Sequence, residues 1–363
     1  MERKRVPLGN YITEYSVRNR SGEDIPVYSV TNSQGFCREY FDKEVASKDK
    51  TTYKIVPRGY FAYNPSRINV GSVDWQRCEG RVIVSPLYNV FSVSEKMEQQ
   101  YLFYYLKSNV GRQMIKAKAS GSVRDNLKMD MLKEMTIPER TIEEQKKCVA
   151  TLDKLKIIIS LWEKELKKLD DLIKARFVEL FGDPASNPNG YPEKSIPEIA
   201  EYWNGLTYKP EDVSEEGTIV LRSSNIQNAT LDFEDTVRVA CKIGANKYVQ
   251  ENDILMCSRN GSARLVGKVA LIKNLEEPMS FGAFMMIIRS EYYSYLMTYF
   301  QLPAFRAQIT TGATTTINQI TGRMLDVVKL PVPDLDTVSE FEKFVKQVDK
   351  SKVVLENIIK KYH

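Results

Sequence analysis

From residue 152 to residue 180 the apolar side chains return every three or four positions: Leu152, Leu155, Ile159, Trp162, Leu166, Leu169, Ile173, Phe177 and Leu180. That spacing is the seam of a coiled coil, and neither a strand nor a loop produces it over so long a run. Dense charge of both signs fills the gaps, as in Glu163-Lys164-Glu165 and Lys167-Lys168, which suits a solvated face. Thr141 and Glu144 have the spacing of a capping box, and Gly182-Asp183-Pro184 is a stop signal. The pattern predicts a helix of about 40 residues, roughly 60 Å long. A seam of that length needs a partner. The chain supplies one from Thr337 onward, where Phe341, Phe344, Val348, Ser351, Leu355, Ile358 and Tyr362 repeat the spacing. Antiparallel pairing of the two helices is the expected outcome.

Each helix closes one of two similar halves. The first half passes Ser120-Gly121-Ser122 and Ile137-Pro138 before Thr141; the second passes Thr311-Gly312-Ala313 and Leu330-Pro331-Val332-Pro333 before Thr337. The segment at 53–59 (YKIVPRG) stands about 195 residues before 248–254 (YVQENDI), and Pro138 keeps that offset from Pro333. So long a period means tandem domains, not a solenoid. The expected architecture is α+β, with domains at 1–140 and 183–336 and long helices at 141–182 and 337–363, related by an approximate two-fold.

Composition removes most enzyme chemistry. The one histidine is His363, which excludes a histidine base, a Ser-His-Asp triad and an HExxH metal site within the rest of the chain. Five cysteines without a CxxC pair argue against a zinc site or a disulfide framework, and for a reducing cytoplasmic setting. No run approaches the length of a membrane span, and the basic start lacks the apolar run of a signal peptide. GxGxxG and GxxxxGK[ST] are missing. Asn64-Pro65-Ser66-Arg67 lacks the second proline and the aromatic residue of an amino-methyltransferase motif. A chain with no catalytic site and no cofactor of its own is expected.

What remains suits nucleic acid. Residues 1–140 carry 23 Lys/Arg against 16 Asp/Glu, a balance that attracts a polyanion. Residues 182–336 carry 14 against 19, so contact there needs a local basic face. Segment 61–72 gathers Tyr63, Asn64, Ser66, Arg67 and Asn69 into a loop after a strand; its counterpart offers Ser258, Arg259, Asn260 and Arg264. Arginine can contact guanine, and asparagine adenine, through paired hydrogen bonds. Two further pairs of loops join the candidates. Lys118, Ser120, Ser122 and Arg124 are matched by Thr311 and Thr314, whose hydroxyls suit phosphate oxygens. Tyr28, Thr31, Asn32 and Gln34 are matched by Arg222 and Asn225. The aromatic segments 101–106 and 292–296 read as buried amphipathic helices, and Trp162 as core.

At this point the sequence resembles the type I restriction–modification specificity subunits (HsdS), over essentially the whole chain. The resemblance rests on 61–72 (FAYNPSRINVGS), 85–91 (SPLYNVF), 137–147 (IPERTIEEQKK) and 175–183 (ARFVELFGD), with weaker support from 196–205 and 252–270. The second proline element, 332–344, lacks the EQ pair and has Glu340-Phe341. The resemblance implies two target-recognition domains, each reading one part of a bipartite site in double-stranded DNA. It also implies that the helices dock two modification (methyltransferase) subunits, and that a restriction/translocase subunit completes the enzyme. S-adenosylmethionine, Mg and ATP would then be bound by those partners. Helices of about 40–60 Å would bound the separation of half-site centres to roughly 12–18 base pairs. The alternative is a non-enzymatic coiled-coil scaffold that binds only proteins; it explains the helices but not the paired Asn/Arg/Ser loops.

Overall fold

The computed structural model describes residues 3–38, 49–119, 126–310 and 318–362. The chain forms two compact units, Met1–Ile158 and Ile159–His363. The same plan recurs in each.

In the first unit a short strand, Arg5–Pro7, pairs antiparallel with Thr136–Pro138. A four-stranded antiparallel sheet follows, in the order Ile12–Glu14, Asn89–Val93, Phe61–Tyr63, Val73–Trp75. Against it pack the helices Gln99–Lys107 and Asn109–Ala119, which share a core with Phe61, Tyr63 and Phe91. The hairpin Ser29–Thr31/Gly35–Cys37 and the pair Lys54–Pro57/Arg81–Val84 form a second layer with its own core around Tyr28, Val56 and Val82.

The second unit repeats this order. Glu193–Ser195 pairs with Lys329–Pro331, and the four-stranded sheet runs Glu201–Asn204, Met285–Arg289, Ile254–Cys257, Val269–Leu271. The parallel bridge Val27–Ile83 of the first unit is matched by the parallel pair Thr218–Leu221/Met279–Phe281. Registers correct the repeat offset. Pro138 faces Arg5 and Pro331 faces Glu193, so the partner of Pro138 is Pro331, not Pro333. Pro333 lies just outside that strand.

The first long helix runs Ile142–Phe181 and the second Leu335–Tyr362. The second begins two residues before Thr337, because Asp334 caps it by accepting from the amide and hydroxyl of Thr337. The first is capped as its sequence asks: Thr141 and Glu144 exchange side-chain-to-backbone bonds. Within the second unit the two helices pair antiparallel. Asp170 binds Lys352 and, further along, Arg176 binds Glu340. Phe177 and Phe181 pack edge to face and each meets both Tyr295 and Phe341, with centroids 4.9 to 5.7 Å apart. The seam of the second helix differs from expectation at one point: Ser351 is exposed, and Lys352 takes the inward position. Trp162 is half-buried rather than core. Among the described residues, no helix is long and apolar enough to cross a membrane.

Candidate nucleic-acid interface

In the first unit the loop after Phe61–Tyr63 turns back through a 3-10 segment, Ile68–Val70. Asn64 folds the turn by accepting, through Oδ1, from the amide and hydroxyl of Ser66. Asn69 Oδ1 accepts from the Val70 amide. Arg67 projects from this loop, exposed and without a side-chain partner among the described residues. Gly71 closes the turn at φ +95°, and a Cβ there would fall 2.3 Å from Asn32 Oδ1. Only glycine lets the hairpin tip at 31–35 come so near the loop at 64–72. Ser72 fixes the approach by donating to the Val30 carbonyl at 2.5 Å. Asn32 and Gln34 are exposed on the tip, and Lys107 Nζ donates to the Asn32 carbonyl at 2.7 Å.

Asp74 braces this arrangement from beneath. It is 3% exposed, accepts from the amides of Phe36 and Trp75, and pairs with Arg77. Burial pushes its pKa up, against the pull of Arg77 and the two amides.

Several expected contacts belong to the scaffold instead. Tyr28 is buried beside Phe36, and Thr31 is buried and accepts from the Gln34 amide inside its own turn. Tyr63 is fully buried; its hydroxyl donates to Leu127 O and accepts from Asn89. Lys118 is paired with Glu134 at 2.6 Å. Ser120, Ser122 and Arg124 lie outside the described residues, as do Thr311 and Thr314.

The second unit builds its loops at the equivalent strand ends. The loops at 222–225 and 258–264 are tied by Asn260 Nδ2 donating to Ser223 Oγ at 3.1 Å, and Asn318 donates to the Gly261 carbonyl. Together with the half-exposed Tyr208 and the exposed ring of Phe284 they line a groove of about 1230 Å³. Arg259 is exposed on its lip, with its guanidinium 5.3 Å from the Phe284 ring centroid. Arg222 is held by Asp235 at 2.9 Å, and its Nε is buried with no hydrogen-bond partner among the described residues. Arg264 is exposed.

Here too, two candidates are structural. Asn225 is fully buried and donates to the carbonyls of Asp232 and Asp235; Ser258 is buried and donates to Phe284 O. The sequence reading missed Phe284, Tyr208 and Asp235, which only the fold brings to the groove. The alternation of turn-forming and free polar groups, with arginine at each rim, can read base edges while the backbone is gripped alongside. Among the described residues no cluster of His, Cys, Asp or Glu could hold a metal ion.

The family model for the type I restriction modification DNA specificity domain matches twice, at residues 9–171 and 188–361. The chain belongs to this family. Among curated relatives, the type I restriction enzyme MjaVIII specificity subunit of Methanocaldococcus jannaschii is 22% identical over 295 residues, 74% of this chain and 67% of the relative. The EcoKI specificity subunit of Escherichia coli K12 is 24% identical over 191 residues, 48% of this chain and 41% of that protein. A chain solved in work on complex assembly and conformational transition of the type I R-M system superposes with a TM-score of 0.61 at 17% identity, covering 99% of this chain and 94% of its own. Two family domains, one after the other, account for the repeated fold.

Proposed function

We propose that this member of the specificity-subunit family reads a bipartite double-stranded DNA target, each unit recognising one part, and performs no catalysis itself. The observation that carries this is the duplication of the reading surface. Two family domains each end their third sheet strand in a loop with an exposed arginine, Arg67 in one and Arg259 in the other. Asn32, Gln34 and the Asn64 amide supplement the first; Asn260, Arg222 and Arg264 supplement the second. Methyl transfer from S-adenosylmethionine, and any Mg- and ATP-dependent cleavage or translocation, reside on partner subunits. Two modification subunits dock on the long helices, and a restriction/translocase subunit joins them.

The test is to map methylated positions across the host genome with and without this gene. A two-part motif that loses its methylation on deletion is the expected result. An unchanged pattern sinks the reading and favours a scaffold that binds only proteins.

A further inference from the structure

Away from the base-reading loops, the first unit gathers three cations beside one half-exposed aromatic ring, with a fourth near one of them. Phe103 lies on the helix Gln99–Lys107. Its centroid is 5.5 Å from Lys107 Nζ, 5.8 Å from Arg77 Cζ and 5.9 Å from Lys156 Nζ. Lys156 also sits 4.2 Å from the Tyr104 ring, and Arg77 4.7 Å from that of Trp75. Arg112 is exposed and close enough to Lys107 to disfavour its charge.

Among the described residues two carboxylates face this collar, and both are engaged. Asp74 is taken by Arg77 and two amides, and Asp153 accepts from the Tyr104 hydroxyl. Partial burial lowers the pKa of both lysines; Asp74 and Asp153 oppose this, while Arg112 and Lys156 add to it at Lys107 and Arg77 adds to it at Lys156. Asp74 offsets Arg77, and Asp153 partly offsets Lys156, so four cations against two carboxylates leave a positive surplus that an anion would relieve. The aromatic faces hold Arg77, Lys107 and Lys156 in place without neutralising them.

We infer that Arg77, Lys107, Arg112 and Lys156 form a sequence-independent grip on the phosphodiester backbone of DNA beside the first part of the target. This rests on the function proposed above. The collar is continuous with the reading surface, because Lys107 Nζ bonds the carbonyl and Oδ1 of Asn32 at the hairpin tip and keeps one donor for a phosphate. A half-exposed ring among cations also suits a sugar–phosphate strand, which offers the ring an apolar sugar face and the cations its oxygens.

The experiment uses the full chain assembled with its modification subunits. Affinity for a random-sequence duplex and for one bearing the mapped motif is measured between about 50 and 200 mM salt. Lys156→Gln and Arg112→Gln are the main variants, since neither side chain touches the hairpin tip; Lys156→Arg is the conservative control. Each Gln variant should bind both duplexes about three- to tenfold more weakly and lower the slope of log affinity against log salt by about one, with Lys156→Arg restoring it. An unchanged slope with intact wild-type binding overturns the collar alone. Weakening on the motif duplex only would make these residues base readers and equally overturn it. Loss of assembly with an unchanged slope in the assembled fraction would assign the collar to a partner's carboxylates. Failure of the wild-type complex to bind any duplex would remove the underlying reading, and the grip with it.

Discussion

Lys352 Nζ donates to Asp170 Oδ1 at 2.6 Å, joining the two long helices at a seam position where the heptad rule asks for an apolar residue. The lysine side chain is 12% exposed and its partner 43%, so the cost of desolvation falls on the lysine. A single inward charge of this kind specifies register, because a slip would leave it among apolar side chains with no counter-ion. Asp170→Ala should therefore destabilise the second unit by about 1–3 kcal/mol. Replacing both partners, Asp170→Leu with Lys352→Met, should recover most of the loss. Urea unfolding midpoints decide the matter, and equal midpoints for wild type and Asp170→Ala would refute the register role.

Gln145 is 1% exposed and satisfies three backbone groups at once. Its carbonyl oxygen accepts from the Glu98 amide, while its amide donates to the carbonyls of Lys96 and Arg140. This fastens the start of the long helix to the start of helix Gln99–Lys107. Gln145→Leu would strip all three partly buried groups of these bonds, at a cost of about 2–4 kcal/mol. Hydrogen exchange at the amides around residue 98 should accelerate in the variant. Unchanged protection there would show that the Gln145 bonds do not fasten the joint.

The heptads, the capping box and the tandem organisation were legible because local spacing carries them. The EQ element was legible as a motif but not as a joint. Counting from the caps Thr141 and Asp334, the second copy of the Gln145 position is Val338, which is buried in an apolar core and needs no such bonds. Glu340-Phe341, the pair that looked like its replacement, instead serves the helix partner through Arg176 and the aromatic cluster. Composition could not separate readers from scaffold. Asn64 and Asn225 are the same residue type in similar loops, but only the fold shows that Asn225 is buried and tied to two carbonyls. Tyr63 misled for the same reason: a tyrosine before a polar loop looks accessible until the strand's inward face is known. The Phe103 collar depends on Arg77 and Lys156, distant in sequence, and no local pattern announces it.

Asp74 gives the first unit a pH signature. Its folded pKa is raised, chiefly by burial, so the folded state holds the proton to higher pH than the unfolded chain does. Its contribution to stability is then most favourable below the ordinary aspartate range and declines as pH rises through that range to the folded pKa. Asp74→Asn should abolish this acid-range slope while weakening the brace on Phe36 and Arg77. A carboxyl titration followed by NMR should find the Asp74 midpoint above those of exposed aspartates. A midpoint at or below theirs would contradict the assignment.

The sharpest separation between reading and scaffold compares Arg67 and Arg259 with Tyr63 and Ser258. The arginines are exposed and have no carboxylate partner among the described residues, so truncating them should leave folding almost untouched. Arg67→Ala should relax discrimination at one position in one part of the methylated motif by about 1–3 kcal/mol, and Arg259→Ala should do the same in the other part. Tyr63→Phe removes a buried hydroxyl that both donates and accepts, and Ser258→Ala removes a donor to Phe284 O. Each should lower the unfolding midpoint and leave the surviving protein's motif unchanged. Motif mapping and thermal unfolding on the same four variants test both halves of the expectation. If either arginine variant altered both parts of the motif equally, the division of reading between the two units would be wrong, because a base contact can change only the positions it touches.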